Sequence, residues 1–93
     1  MQVGVCTIFL RIPESHSLKQ KRQVVKSVVD RVKNRFNVAI AEVDALDSHQ
    51  TAVLGAAAIS SDSRHVNRTL SYVTNFIEET SAAELTDYKI ELY

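Results

Sequence analysis

Between Ser15 and Phe36 the chain reads SHSLKQKRQVVKSVVDRVKNRF, and its apolar residues return at helical spacing. At 100° per residue, Leu18, Val25, Val28, Val29, Val32 and Phe36 fall within about one third of a helix circumference. A helix of this kind has one face that must be buried. The segments on either side alternate with a period of two, so the natural cover for that face is a sheet.

The first of those segments, Val3 to Ile12, places Gly4, Cys6, Ile8, Leu10 and Ile12 on one face, the core side, and Val3, Val5, Thr7, Phe9 and Arg11 on the other. Pro13 suits a strand end, and Ser15 or Ser17 can cap the helix by accepting bonds from its free N–H groups. Val38 to Val43 reads as a second strand, Asp44 to Gln50 as an acidic turn, and Ala52 to Ser60 as a buried strand. Ser61 or Asp62 caps a second helix, which carries Val66, Leu70, Val73 and Ile77 at helical spacing and ends near Thr80. Leu85 to Tyr93 is the last strand.

The order βαββαβ predicts an α+β fold, a ferredoxin-like sandwich formed by residues 1–93 as one domain. Its four-stranded antiparallel sheet has the order 4-1-3-2, with both helices on one face. Right-handed crossovers leave few alternatives. No apolar run is long and uncharged enough to cross a bilayer, which predicts a soluble chain with no membrane partner. The segment MQVGVCTIFLRIP lacks the marks of a secretory signal, and the lone Cys6 suits a reducing compartment. A cytoplasmic location is the expectation.

Net charge is zero, but its distribution is not even. Leu18 to Phe36 holds seven cations and one acid, Asp30, whereas the remainder holds four cations and ten acids. Lys19, Arg22, Lys26 and Lys33 line up beside the apolar stripe, and Lys21 points near the stripe itself. The topology brings the start of this helix to the same end as the acidic turn. It also predicts that Arg31, Lys33 and Arg35 approach Arg64 and Arg68 at the opposite end, making that end the more positive.

Cations in a first turn oppose the helix dipole, so Lys19, Lys21 and Arg22 require an account. Either the neighbouring acids neutralise them, or they join the free N–H groups after Ser15 and Ser17 in receiving a phosphate or carboxylate.

The runs SLKQKR (Ser17 to Arg22), RFNVAIAEV (Arg35 to Val43) and LGAAAISSD (Leu54 to Asp62) together resemble the YlxP-like family of small bacterial proteins of unknown function. The resemblance spans almost the whole chain. It implies a ferredoxin-like fold in a cytoplasmic protein often encoded among genes for ribosome maturation and translation, with no enzymatic activity established. It carries over Ser17, Leu18, Lys19, Lys21 and Arg22, with Arg64 and His65. Where members often have a tryptophan and a nearby arginine in the turn after strand 2, this chain has His49 and Thr51.

Catalytic motifs are missing. His16 and His65 belong to no Ser, His and Asp arrangement, Cys6 lies in no activating motif, and there is no phosphate-cradling glycine loop. Asp44, Asp47 and His49 are competent metal ligands but read as an acidic turn facing a basic helix end. No metal or cofactor is expected, and the sequence identifies no small-molecule substrate.

The sequence therefore predicts a non-enzymatic cytoplasmic protein that binds RNA or a ribosomal particle, with Ser17, Lys19, Lys21, Arg22, Lys26, Lys33, Arg64 and Arg68 as candidate anion-binding residues. The alternative is a protein-interaction module, forming a homodimer or hetero-complex through an edge strand or the open sheet face, where Thr7, Phe9 and Arg11 are the candidate contacts. Phe9 could also stack a base, but strand 3 lacks the glycine and aromatic signature of sheet-face RNA-binding domains.

Overall fold

The computed structural model describes all 93 residues, Met1–Tyr93. Six elements follow the predicted order: β1 (Gln2–Arg11), α1 (Leu18–Arg35), β2 (Ala39–Asp44), β3 (Thr51–Ser60), α2 (Ser63–Thr80) and β4 (Glu84–Leu92). All strand pairs are antiparallel in one sheet of order β2-β3-β1-β4, which is the expected order read from its other edge. The fold is the ferredoxin-like sandwich. No helix is long and apolar enough to cross a membrane.

Alternation along β1 sets the two faces of the sheet. Cys6, Ile8 and Leu10 are buried under the helices, while Val3, Val5, Thr7 and Phe9 on the other face are only half-buried. α1 packs over β2 and β3, and α2 over β1, β3 and β4. Val25, Val28 and Val32 from α1 join Val66, Leu70, Val73 and Ile77 from α2 in one apolar cluster with the inward sheet residues. Removing a fully buried leucine such as Leu70 from a cluster of this kind costs about 2–5 kcal/mol.

Where α2 crosses the sheet it needs room. Gly4 provides it, because a Cβ there would collide with a Val66 methyl and lie 3.0 Å from both Leu70 Cδ1 and Leu92 Cδ2. Since Gly4 has ordinary negative φ, the requirement is for space and not for an unusual backbone.

The helices are staggered along their lengths. Arg31 lies beside the C-terminus of α2, where its Nη1 donates to the Thr80 carbonyl at 2.7 Å. Arg35 sits over the Phe76 ring at 5.4 Å from its centroid, and Phe76 meets Phe36 edge-to-face at 5.6 Å. The expected approach of Arg31 to Arg64 and Arg68 is thereby corrected, whereas Arg35 also lines a cleft with His65 and Thr69 beside the start of α2. Aromatic packing sets the helix offset, and both arginines are drawn onto α2, Arg31 to a carbonyl at the negative end of its dipole.

Gly4→Ala is expected to destabilise the fold by about 1–3 kcal/mol through overpacking against α2. A lowered urea midpoint with an unchanged slope would report this, and an unchanged midpoint would contradict the close approach.

Candidate functional site

The first turn of α1 is closed by its own side chains. Ser17 is the N-cap, its Oγ accepting from Gln20 N at 3.1 Å, while Gln20 Oε1 accepts from His16 N at 2.6 Å. This is a close variant of the reciprocal capping box. Ser15 is buried, and its hydroxyl donates to the Ser17 carbonyl at 3.1 Å. Ser17 thus spends its oxygen on the helix itself, and the Gln20 N–H is no longer free for an anion.

Lys21 is fully buried. Its Nζ donates to Glu42 Oε2 at 2.8 Å, to the Ala45 carbonyl at 2.9 Å, and to the Leu46 and Thr51 carbonyls at 3.3 Å each. An ammonium has three protons, so four acceptors saturate it. The assignment of Lys21 to an anion-binding set is therefore corrected. Its side chain runs inward along the valine stripe and ends in the turn between β2 and β3, where no external phosphate can reach it.

The clamp explains the shape of that turn. Ala45 adopts φ 55°, a left-handed conformation unusual for alanine, and its carbonyl accepts both from Lys21 and from Ser48 N at 3.0 Å. Asp44 Oδ1 accepts from Ala45 N at 2.7 Å, and Thr51 N donates to Ser48 Oγ at 3.1 Å. Gln50 fastens the turn to the chain entering α1: its carbonyl accepts from Ile12 N at 2.8 Å, and its side-chain Nε2 donates to the Ser15 carbonyl at 3.0 Å. Nothing in the sequence pattern marked Gln50.

With Lys21 removed from the set, Lys19 and Arg22 remain exposed at the start of α1 and enter no ion pair. The neighbouring acids neutralise Lys21 only. Lys26 pairs with Asp30 one turn away at 2.6 Å, an exposed contact of small energetic worth, and Lys33 is exposed and unpaired. Helical spacing puts these four cations on the flank of α1 opposite Arg31 and Arg35. Because Arg31 and Arg35 face α2, the ridge lies on the side of the free β2 edge. Over fourteen residues it extends about 21 Å. Arg64 and Arg68 are exposed at the start of α2, where Arg64 Nε approaches the capping Asp62 carboxylate at 3.6 Å.

Against this geometry the relatives can be placed. The sequence matches DUF503, described as a protein family of unknown function, over residues 3–90. The chain belongs to the DUF503 family. It is similar to the uncharacterized protein YlxP of Bacillus subtilis (strain 168), with 37% identity over 82 residues that cover 88% of this chain and 89% of the relative. In this DUF503 member the SLKQKR run divides by role: Ser17, Leu18, Gln20 and Lys21 build the first end, and Lys19 and Arg22 are left facing solvent.

The remaining candidates separate from the ridge. Thr7 and Phe9 are half-buried and Arg11 exposed on the open sheet face, with Thr7 opposite Gly55 and Lys89, and Phe9 opposite Val53 and Asp87. Arg11 approaches Glu84 at 3.9 Å. A cleft of about 350 Å³ between α1 and the end of α2 is lined by Gln23, Ser27, Arg31 and Thr80 among others, and brings together no acid, base and nucleophile. Cys6 is buried, and burial pushes its thiol up to about 11, partly opposed by a hydrogen bond from the Lys89 backbone.

These contacts and the burial of Cys6 set three outcomes. Lys21→Met is expected to destabilise the fold by about 3–5 kcal/mol, because it strands the Glu42 carboxylate and three turn carbonyls. Lys19→Ala with Arg22→Ala should stay within about 0.5 kcal/mol of wild type for each site, and urea unfolding of both variants measures the contrast. Cys6 should resist thiol reagents at pH 8 until the chain unfolds. Because the folded state holds this proton more tightly, the stability that depends on Cys6 should fall as pH climbs from the ordinary 9.0 towards about 11. Rapid labelling of native protein at pH 8 would refute that burial.

Proposed function

We propose that this protein is a non-enzymatic cytoplasmic binding protein that takes the phosphate backbone of RNA, free or within a ribosomal particle, along the α1 ridge. The observation that carries the reading is the pairing of Lys21 with Glu42 while Lys19, Arg22 and Lys33 go without acidic partners. A chain with as many acids as cations that leaves these cations unpaired on one helix flank retains a local positive field despite its zero net charge.

The ridge suits phosphate better than base edges. Its residues are lysines and an arginine on a convex helix, with no aromatic ring among them, so contact would be electrostatic and indifferent to sequence. About 21 Å corresponds to roughly six stacked nucleotides of one strand at about 3.4 Å each. Arg64 and Arg68 extend the basic surface separately, at the start of α2. A non-catalytic role fits the chemistry available, since the one thiol is buried and protonated and Lys21, the one buried amine, is saturated.

Co-sedimentation with ribosomal subunits across a salt series tests the reading. Binding should fall steeply with salt, and Lys19→Ala, Arg22→Ala and Lys33→Ala together should reduce the slope of log affinity against log salt by about 2. Affinity that is independent of salt, or a triple variant that binds like wild type, would overturn it.

A further inference from the structure

The sheet has a second surface that the α1 ridge does not use. Its β2, β3 and β1 columns are almost free of charge: Val3, Val5, Ala39, Ala41, Ala57 and Ile59 all face away from the helices and are exposed or half-exposed. Val43, more than half exposed, leans over Gly55 beside them. Charge on this face is gathered on β4, where Lys89 lies 3.6 Å from Glu91 and Asp87 stands two residues before it. A contiguous apolar surface of this extent on a small chain marks an interaction face.

We propose that the open face of the sheet binds a second copy of this chain, packing sheet on sheet about a two-fold axis that crosses the strands between the Val5 and Thr7 rows. The register supplies the reason. Val5, Ala57, Ala39 and Glu91 form one row, and Thr7, Gly55, Ala41 and Lys89 form the next. A two-fold between them lays each row over the other, so that Ala57 meets the partner's Gly55, Ala39 the partner's Ala41, and Lys89 the partner's Glu91. One row further out, Val3 falls over the partner's Phe9 and Ile59 over the partner's Val53. Small residues occupy the centre, where two sheets about 10 Å apart approach most closely, and large ones fill the ends. The same operation pairs opposite charges, as an isologous interface requires.

Area agrees. The four strands, of ten, six, ten and nine residues, rise about 3.3 Å per residue at a spacing of about 4.8 Å and present about 550 Å² per copy and about 1,100 Å² in total, just above the ~1,000 Å² that a biological interface should clear. Other occupants fit less well. RNA would meet Asp87, Glu91 and Glu84 against only Lys89 and Arg11 on this face, and of its two aromatic rings Phe9 is half-buried while the Tyr93 hydroxyl is tied to Glu91 at 3.2 Å. Pairing of two copies along the free β2 edge would set one cation ridge beside another, whereas face packing keeps both ridges on the outside.

Sedimentation equilibrium of the full chain, over a concentration series reaching about 100 µM, tests the proposal. Wild type should approach twice the 10.4 kDa chain mass. Ala57→Glu, which forces a carboxylate against the partner's Gly55 in each half of the apolar centre, should sediment as a monomer with unchanged circular dichroism. Lys89→Glu should weaken association by at least about tenfold, and adding Glu91→Lys should restore it. These last two positions are exposed, so they decide the matter even if Ala57→Glu fails to fold. The triple ridge variant should remain dimeric. Wild type at monomer mass throughout, or association unaffected by the sheet-face variants, would overturn the proposal.

Discussion

The buried ammonium of Lys21 is the contact on which the first end of the molecule depends. It joins the first turn of α1 to a stretch of chain far from it in sequence: the Glu42 side chain on β2, the Ala45 and Leu46 carbonyls of the following turn, and the Thr51 carbonyl at the start of β3. A desolvated charge of this kind adds little net stability compared with a well-packed apolar group, because loss of hydration offsets much of the attraction. What it supplies is a defined position. Four acceptors converge on one nitrogen, so the turn has one shape, and Ala45 is held in a left-handed conformation to bring its carbonyl into place.

That arrangement governs the surface as well. Glu42 is committed to Lys21, and Asp44 to the backbone of its own turn, leaving the neighbouring α1 cations without partners. At the other end of α1, Arg31 and Arg35 are turned towards α2 by a carbonyl and an aromatic ring. One flank of the helix is therefore a basic ridge and the other belongs to the packing between helices. The opposite side of the sheet is apolar through β1, β2 and β3 and charged along β4, so the two surfaces call for different chemistry and need not compete.

Much of the fold could be read from periodicity. The alternation in Val3 to Ile12 and the helical spacing from Leu18 to Phe36 are both local properties of a burial pattern, and local patterns survive into the tertiary structure when every element shares one core. Lys21 was legible in part, since the helical projection put it on the apolar stripe. A cation on such a stripe must either extend to solvent or find partners inside. Its partners lie twenty-one to thirty residues away, and no local pattern identifies them. Gln50 carried no signal at all, because its role depends on two turns meeting.

The sequence by itself determined the order of elements, the side of each that is buried, and the concentration of positive charge on α1, for these follow from residue type and spacing. Only the tertiary structure decided which cations are available. The stagger of α1 against α2 took Arg31 to the Thr80 carbonyl at the C-terminus of α2 and laid Arg35 over the Phe76 ring. The convergence of the β2–β3 turn on the helix start took Lys21 inside. Both are packing outcomes, fixed by the shapes of elements distant in sequence, whereas a charge count treats all seven helix cations alike.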